Sequence, residues 1–452
     1  MKFIDLSILC FFILTIPNIG HAKVDEVKVS EVDYVHYRAE IEPNFESKSL
    51  SAAVTIKFVP VIQNLRQLKF SSKYKQVKSV RFGGKAINYD LINEQLIVQF
   101  EDNLKSGKAY SLKVEYTAAP ERGMKFYEDH LFTVYHTKNW LISHGDISDK
   151  ATFELLLEHE TGLESVGNGQ LISRYETGQK TTISHWKQDI PIPIYTFGFA
   201  LGFFETLLLD SSRTDISVLY RRAEKSDLTS PLLKLAFKDV ADMSSFFESK
   251  AGFSLNEHGY RYVVVDGYMA QEASSFSLVG EKFVHTVLKN KNENWFIAHE
   301  LAHEWWGNSV TSSNFSHFWL NEGLVVFLVA AYKQHLFGDT AYKNEISVAV
   351  KRLEIAVNEN RIAPVAFSKV IREQEINHTM AYSKGAIIFY MLREKLGEEL
   401  FWKALKEYTV THKDGSVTTQ DLKSSFEKTT ATSLTSFFDK WVYGEEIPKL
   451  KM

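Results

Sequence analysis

The chain has 452 residues, room for two or three domains with sizeable cores, and its 44% hydrophobic and 24% charged content is ordinary for a globular protein. A formal net charge of −4 argues against a nucleic-acid binder, which needs a basic stripe. Thirty-two Phe and twenty Tyr fill cores and sheet faces and carry no functional message by their number.

Residues 1–22 read as a signal peptide rather than as part of the fold. Lys2 supplies a short positive start, and the eleven residues Leu6–Ile16 form an apolar run. Pro17 ends the run, and Gly20-His21-Ala22 offers small residues for cleavage after Ala22. Asp5 departs from the usual pattern. At 1.5 Å per residue the run is too short to span a bilayer, so no stable membrane insertion is expected. Cys10 is the only cysteine and lies inside this segment. A cleaved chain would therefore hold no disulfide, thiol nucleophile or thiolate ligand. The expected location is a periplasm or the cell exterior.

From 23 to 209, short runs alternate with period two: 51–60, 95–100, 109–116 and 151–158. Turn-forming Gly, Asn and Asp separate them. This pattern predicts antiparallel strands in a β-rich N-terminal domain of saddle or sandwich shape. P-I-P-I-Y at 191–195 lacks donors at each proline and is expected as a rim loop or hinge. Beyond 210 the pattern changes. A strand at 215–220 precedes one helix over 230–250, with Thr229 or Ser230 as its cap and Pro231 in its first turn. A strand at 261–266 follows, then helices near 341–358, 382–396, 398–409 and 418–429. Residues 210–452 are thus an α+β domain.

The chemistry concentrates in 299–322. His299 and His303 are four apart, so on a helix their imidazoles share one face. That spacing suits the first two ligands of a tetrahedral Zn²⁺, and Glu300 between them stands where a general base for an attacking water is needed. H-E-x-x-H alone also occurs on ordinary amphipathic helices. Glu322, which follows His303 after eighteen intervening residues in W-L-N-E-G on a second apolar helix, supplies the third ligand and makes the set complete. One Zn²⁺ is expected. Glu304 is placed to accept from a zinc histidine or to face solvent. His317, His144 and His185 are read as surface or packing histidines.

Together these motifs resemble the aminopeptidase N family of gluzincin metallopeptidases, in a short form without the helical C-terminal domain. H-E-L-A-H-E-W-W-G-N and W-L-N-E-G carry the resemblance most specifically. L-I-S-H-G-D-I-S-D-K-A-T-F-E-L-L-L (141–157), A-Y-S-K-G (381–385) and the closing W-V-Y-G-E-E-I-P extend it over nearly all of the chain after residue 22. The resemblance implies a thermolysin-like catalytic domain over 210–452, zinc on His299, His303 and Glu322, Glu300 as general base, and Tyr382 as donor to the tetrahedral intermediate. It also implies peptide substrates. Lys384 is expected to be structural or solvent-facing.

The sequence departs from the family at G-x-M-E-N, whose glutamate binds the substrate's α-amine. Here the stretch is D-G-Y-M-A-Q-E-A-S-S-F-S-L-V-G (266–280). Aligned on Gly267 and Met269, Ala270 takes the glutamate's place; aligned on F-S-L-V, Ser274 does. Glu272 is near in sequence but needs a remodelled loop to serve. An ammonium against Ala or Ser would be unpaired, so altered amine recognition is expected. Backbone groups of this edge could still hold an extended peptide by strand addition. Aminopeptidase-like hydrolysis is the leading expectation, with endopeptidase or short-peptide hydrolysis next and noncatalytic peptide binding as the alternative from another class. Oligomeric state is not legible.

Overall fold

The computed structural model describes residues 30–450, apart from 179, 213 and 223–225. The expected signal peptide, with Cys10, lies outside the described residues. The first half is built on an eight-stranded sheet. Strands β1 (Val32–Asn44) and β2 (Ser49–Pro60) form a long antiparallel pair at its centre. On β2, Leu50, Ala52, Val54, Ile56 and Phe58 alternate inward, the period-two pattern of a half-buried strand. On β1 the parity slips between Tyr34 and Tyr37, because the register shifts between Tyr34 and His36. β3 (Lys150–Glu160) runs parallel to β1, and β4 (Thr181–Pro193) pairs antiparallel with β3. Small sheets of three and four strands complete the half, and their side chains share one core with the large sheet.

P-I-P is not the loop expected from its missing donors: Pro191 and Pro193 form the tail of β4. The neighbouring strand, Gln170–Glu176, covers β4 only over Thr182–Lys187. The prolines lie beyond that cover, where β4 has a partner on one side alone, which is the position a sheet allows them.

The second half centres on a five-stranded mixed sheet. Its strands are β5 (Phe204–Asp210), β6 (Ile216–Arg221), β7 (Tyr260–Val265), β8 (Ala270–Ala273) and β9 (Phe276–Gly280), in the order β5-β6-β7-β9-β8. β5, which a boundary at 209 leaves with the first half, pairs antiparallel with β6. Both faces of this sheet are covered. Tyr260, Tyr262 and Val264 of β7 join the core of the helices, whereas Val263 and Val265 join the core of the first half with Leu219, Phe276 and Leu278. Strands buried on two faces read as continuous apolar runs, and R-Y-V-V-V-D is one.

The helix expected over 230–250 is two, α1 (Ser230–Ala236) and α2 (Val240–Ala251). The break at 237–239 lets Phe237 pack on Tyr262, ring centroids 5.0 Å apart, while α2 turns Met243 and Phe247 into the same core. Among the helices that follow are α3 (Trp295–Ala302), α4 (Trp319–Phe337), α5 (Asp339–Asn358), α6 (Gly385–Leu396), α7 (Glu398–Thr411) and α8 (Thr419–Thr430). The stretch ending in α4 is long and apolar enough to cross a membrane by length and composition, but 83% of it is buried within the protein. It is the central core helix, packed on α3, α5 and α6.

Candidate active site

α3 carries His299 and Glu300 and ends on His303, which keeps helical angles (φ −60°, ψ −21°). The two imidazoles therefore converge. Their Nε2 atoms are 3.2 Å apart, and each is 3.5 Å from Glu322 Oε2 on α4. A tetrahedral ion with ligand bonds of about 2.0–2.1 Å has edges of roughly 3.3 Å, so the triangle is the face of a zinc-sized tetrahedron. His303 Nδ1 lies 3.0 Å from Trp306 O. Donating there leaves the Nε2 lone pair toward the triangle. The W-W-G turn makes that contact possible: Gly307 sits at φ +132°, and a Cβ on it would come 2.8 Å from His303 Nδ1.

Charge in the triangle is shared. Burial lowers His303, but Glu322 and neighbouring carboxylates outweigh it and lift the imidazole to about 10. Burial likewise raises Glu322, and His303 and His299 overcome it to hold the carboxyl below the usual range. Donors that stabilise one another through a proton release it to a dication, so the set couples metal binding to proton release. Glu300 is buried beside them, its Oε2 without a hydrogen-bond partner. Burial pushes its carboxyl well above the ordinary range, against the pull of His303.

Tyr382 reaches this site through two glycines. Gly323 follows Glu322 on α4, and Gly385 follows the π-helical turn Met380–Lys384 at the start of α6. The helices touch backbone to backbone there: a Cβ on Gly323 would lie 2.7 Å from Ala381 O and 2.8 Å from Gly385 Cα. The contact sets the Tyr382 ring 6.4 Å from that of His299, at 13° between planes. Lys384 is structural, as expected, and buried. Its Nζ donates to Gly444 O at 2.8 Å, tying the W-V-Y-G segment to this turn. Gly385→Ala is expected to force the helices apart, destabilising the protein by about 1–3 kcal/mol and lowering kcat with zinc content unchanged. Thermal unfolding, metal analysis and turnover on one preparation check this, and unchanged stability would show that the contact is loose.

The structure corrects the expectation for 266–280. β8 and β9 form a hairpin across Ser274–Ser275, with Glu272 opposite Ser277. Neither Ala270 nor Ser274 is the residue that meets the metal triad. Glu272 is: it is buried, and Glu272, Glu300 and His303 bring one donor atom each within 4.8 Å of one another. No loop has to be remodelled, because both halves already fix the turn. Glu304 Oε1 accepts from Ser275 N at 2.8 Å, and Asn168 Nδ2 donates to Ser274 O at 2.8 Å. Ser275 is held at φ +71°. Glu304 thus grips this hairpin, while His303 turns its second nitrogen to Trp306 O. Burial lifts the Glu272 carboxyl to about 7, and His303 opposes the rise.

Against this geometry stand the comparisons. Residues 266–441 match the Peptidase family M1 domain. That stretch takes in the hairpin with Glu272, the metal triad and Tyr382. It is similar to Aminopeptidase 2 of Candida albicans, 23% identical over 94% of this chain and 49% of the relative. It is also similar to Aminopeptidase M1 of Arabidopsis thaliana, 25% identical over 66% of this chain and 35% of the relative. The chain spans about half the length, or less, of the curated relatives it matches. Among solved structures, a mutant M1 zinc metallopeptidase of Deinococcus radiodurans bound to a Tyr-Ser-Ala substrate superposes with a TM-score of 0.79. It is 19% identical, and the match covers 94% of this chain and 97% of that one. Yeast LTA4 hydrolase in complex with bestatin gives a TM-score of 0.80 at 18% identity, over 96% of this chain and 71% of that one. These likenesses bear out the fold class: a β-rich half followed by the helical catalytic half.

Two chambers flank the candidate metal triad. One, of about 320 Å³, lies against the first half and is lined by Tyr135, Ile194, Tyr195, Phe318, Glu272 and Tyr382, among others. The second, of about 590 Å³, opens between α3, α4 and α5 and holds His299 and Glu300. Glu272, Tyr135 and Tyr382 line both, so they stand at the junction. Tyr135 was not legible in the sequence; its hydroxyl lies 3.4 Å from Ala270 O on β8. The other histidines take no part in the triad. His317 is buried on Thr419 Oγ1 at 3.0 Å, His185 pairs with Glu154 at 2.7 Å on the large sheet, and His144 lines the first chamber while stacking on Tyr34.

Proposed function

We propose that this protein is a zinc-dependent aminopeptidase. The observation that carries the reading is the carboxylate of Glu272, one short reach from Glu300 and His303 in a buried pocket. A substrate ammonium paired with Glu272 places its own residue's carbonyl carbon, about 2.5 Å away, toward the metal triad. The first peptide bond is then the one exposed to attack. Endopeptidase action was the alternative that a missing acid would favour, and Glu272 takes away that ground.

His299, His303 and Glu322 would hold the ion, which supplies Lewis acidity to the scissile carbonyl and acidifies the attacking water. Glu300 takes the proton from that water and gives it to the leaving nitrogen. Its burial favours the protonated form it must pass through. Tyr382 donates its phenolic hydrogen to the oxyanion as charge develops, a contact made in the transition state and worth about 2.7–4 kcal/mol by analogy with other oxyanion donors. Glu300 lines the second chamber and not the first. The second chamber therefore takes the leaving part of the peptide.

The test is mass spectrometry of products from a peptide and its N-acetylated twin, with and without a chelator. One-residue trimming of the free peptide, no cleavage of its twin and loss of both zinc and activity on chelation are expected. Internal cuts of the acetylated peptide would overturn the reading. We also propose a periplasmic or secreted site of action, on the apolar run Leu6–Ile16, which N-terminal sequencing of the protein from its host would test.

A further inference from the structure

The second chamber carries a charge that catalysis does not use. Along α5, Ala341, Asn344, Glu345, Val348 and Arg352 all line it, recurring every three or four residues, so one face of the helix forms its wall. α4 adds Val326, Val329 and Lys333 to the lining. Four charges of this region lie away from the metal triad's acids. Lys333 is buried and donates to Glu345 Oε2 at 2.6 Å, so those two cancel. Glu293 sits in the turn before α3. Arg352 has no carboxylate partner among the described residues.

We propose that Arg352 receives the free C-terminal carboxylate of a short peptide whose leaving part fills the second chamber. This rests on the aminopeptidase reading for which end of the peptide enters here. Guanidinium suits the task, since its fork of N–H groups matches a carboxylate and stays charged at every physiological pH. The site then grips both ends of its substrate, the ammonium at Glu272 and the carboxylate at Arg352. A long chain would have to lead its continuation past the guanidinium and would gain nothing from it. The substrate class is small peptides of a few residues, such as the end products of other peptidases.

Calorimetric titration of the zinc-loaded Glu300→Gln protein with tri-alanine and with its C-terminal amide reads the contact without cleavage. The free acid is expected to bind at least tenfold tighter than the amide. Adding Arg352→Gln should bring the two within about twofold, while Arg352→Lys keeps part of the difference. Equal binding of acid and amide, or a preference that survives Arg352→Gln, would overturn the proposal. A preference for the amide would do so too, by showing that Glu293 sets the field of the chamber. The outcome is separate from the aminopeptidase reading: failure of the wild-type protein to trim any peptide defeats that reading while the binding difference still decides the role of Arg352.

Discussion

Glu300→Gln is expected to keep its zinc and to lose about three orders of magnitude in kcat. General acid–base transfer by a positioned side chain contributes 10²–10⁴-fold in typical enzymes, and here one carboxylate makes both transfers. The amide has the same shape, so the buried niche between His299 and His303 stays filled. It accepts a hydrogen bond from water but cannot carry the proton to the leaving nitrogen. The metal triad does not include Glu300, so the metal content stays at one equivalent. Single-turnover kinetics on a free tripeptide, with metal analysis of the same sample, make the measurement. A kcat within tenfold of wild type would move the base to another residue, and a loss of zinc would mean that Glu300 shapes the triad.

The second large effect belongs to Glu272. Replacing it with Gln leaves the hairpin's grip on Glu304 and Asn168 in place, because those bonds go to the backbone of Ser275 and Ser274. What disappears is the anion facing a substrate ammonium in a buried site. Removing one partner of a buried ion pair costs about 3–5 kcal/mol, so kcat/KM for the free peptide should fall at least a hundredfold. The N-acetylated twin has no charge to lose and should change little, and the ratio of the two substrates should collapse. A free peptide that remains a hundredfold better substrate in Glu272→Gln would place the amine anchor elsewhere, with Tyr135 and Tyr195 in the first chamber as the next groups to change.

The metal triad was legible because its chemistry is local. Two of its three ligands lie four positions apart on one helix, with Glu300 between them, and the third follows at a fixed interval on the next. The first half was legible as strands because period-two burial is written directly in β2 and β3. The arrangement of those strands into one large and two small sheets is a matter of long-range pairing and left no local mark. Glu272 was placed behind Ala270 and Ser274 because contiguous alignment, forward from Gly267 or backward from Phe276, does not see a two-residue hairpin. The strand pairing of Glu272 with Ser277 decides which face the acid takes. A-Q-E-A, S-S and F-S-L-V were the available signal: two short strands around a two-residue turn. The break between α1 and α2 was hidden for a related reason, since only the position of Tyr262 makes it favourable to bury Phe237 there.

The five-stranded sheet has a bearing on how the protein can be cut, inherited and unfolded. Leu219, Val263, Val265, Phe276 and Leu278 complete the core of the β-rich half although they belong to the catalytic half. Expressing either half by itself would strand those side chains in water, and an apolar face of that kind drives aggregation. Substitutions on one side of the sheet must be tolerated by the other, and heat should melt both in a single cooperative step. The strand pair that carries Glu272 lies in that shared layer, so the recognition of the peptide's end is anchored in the most constrained part of the molecule.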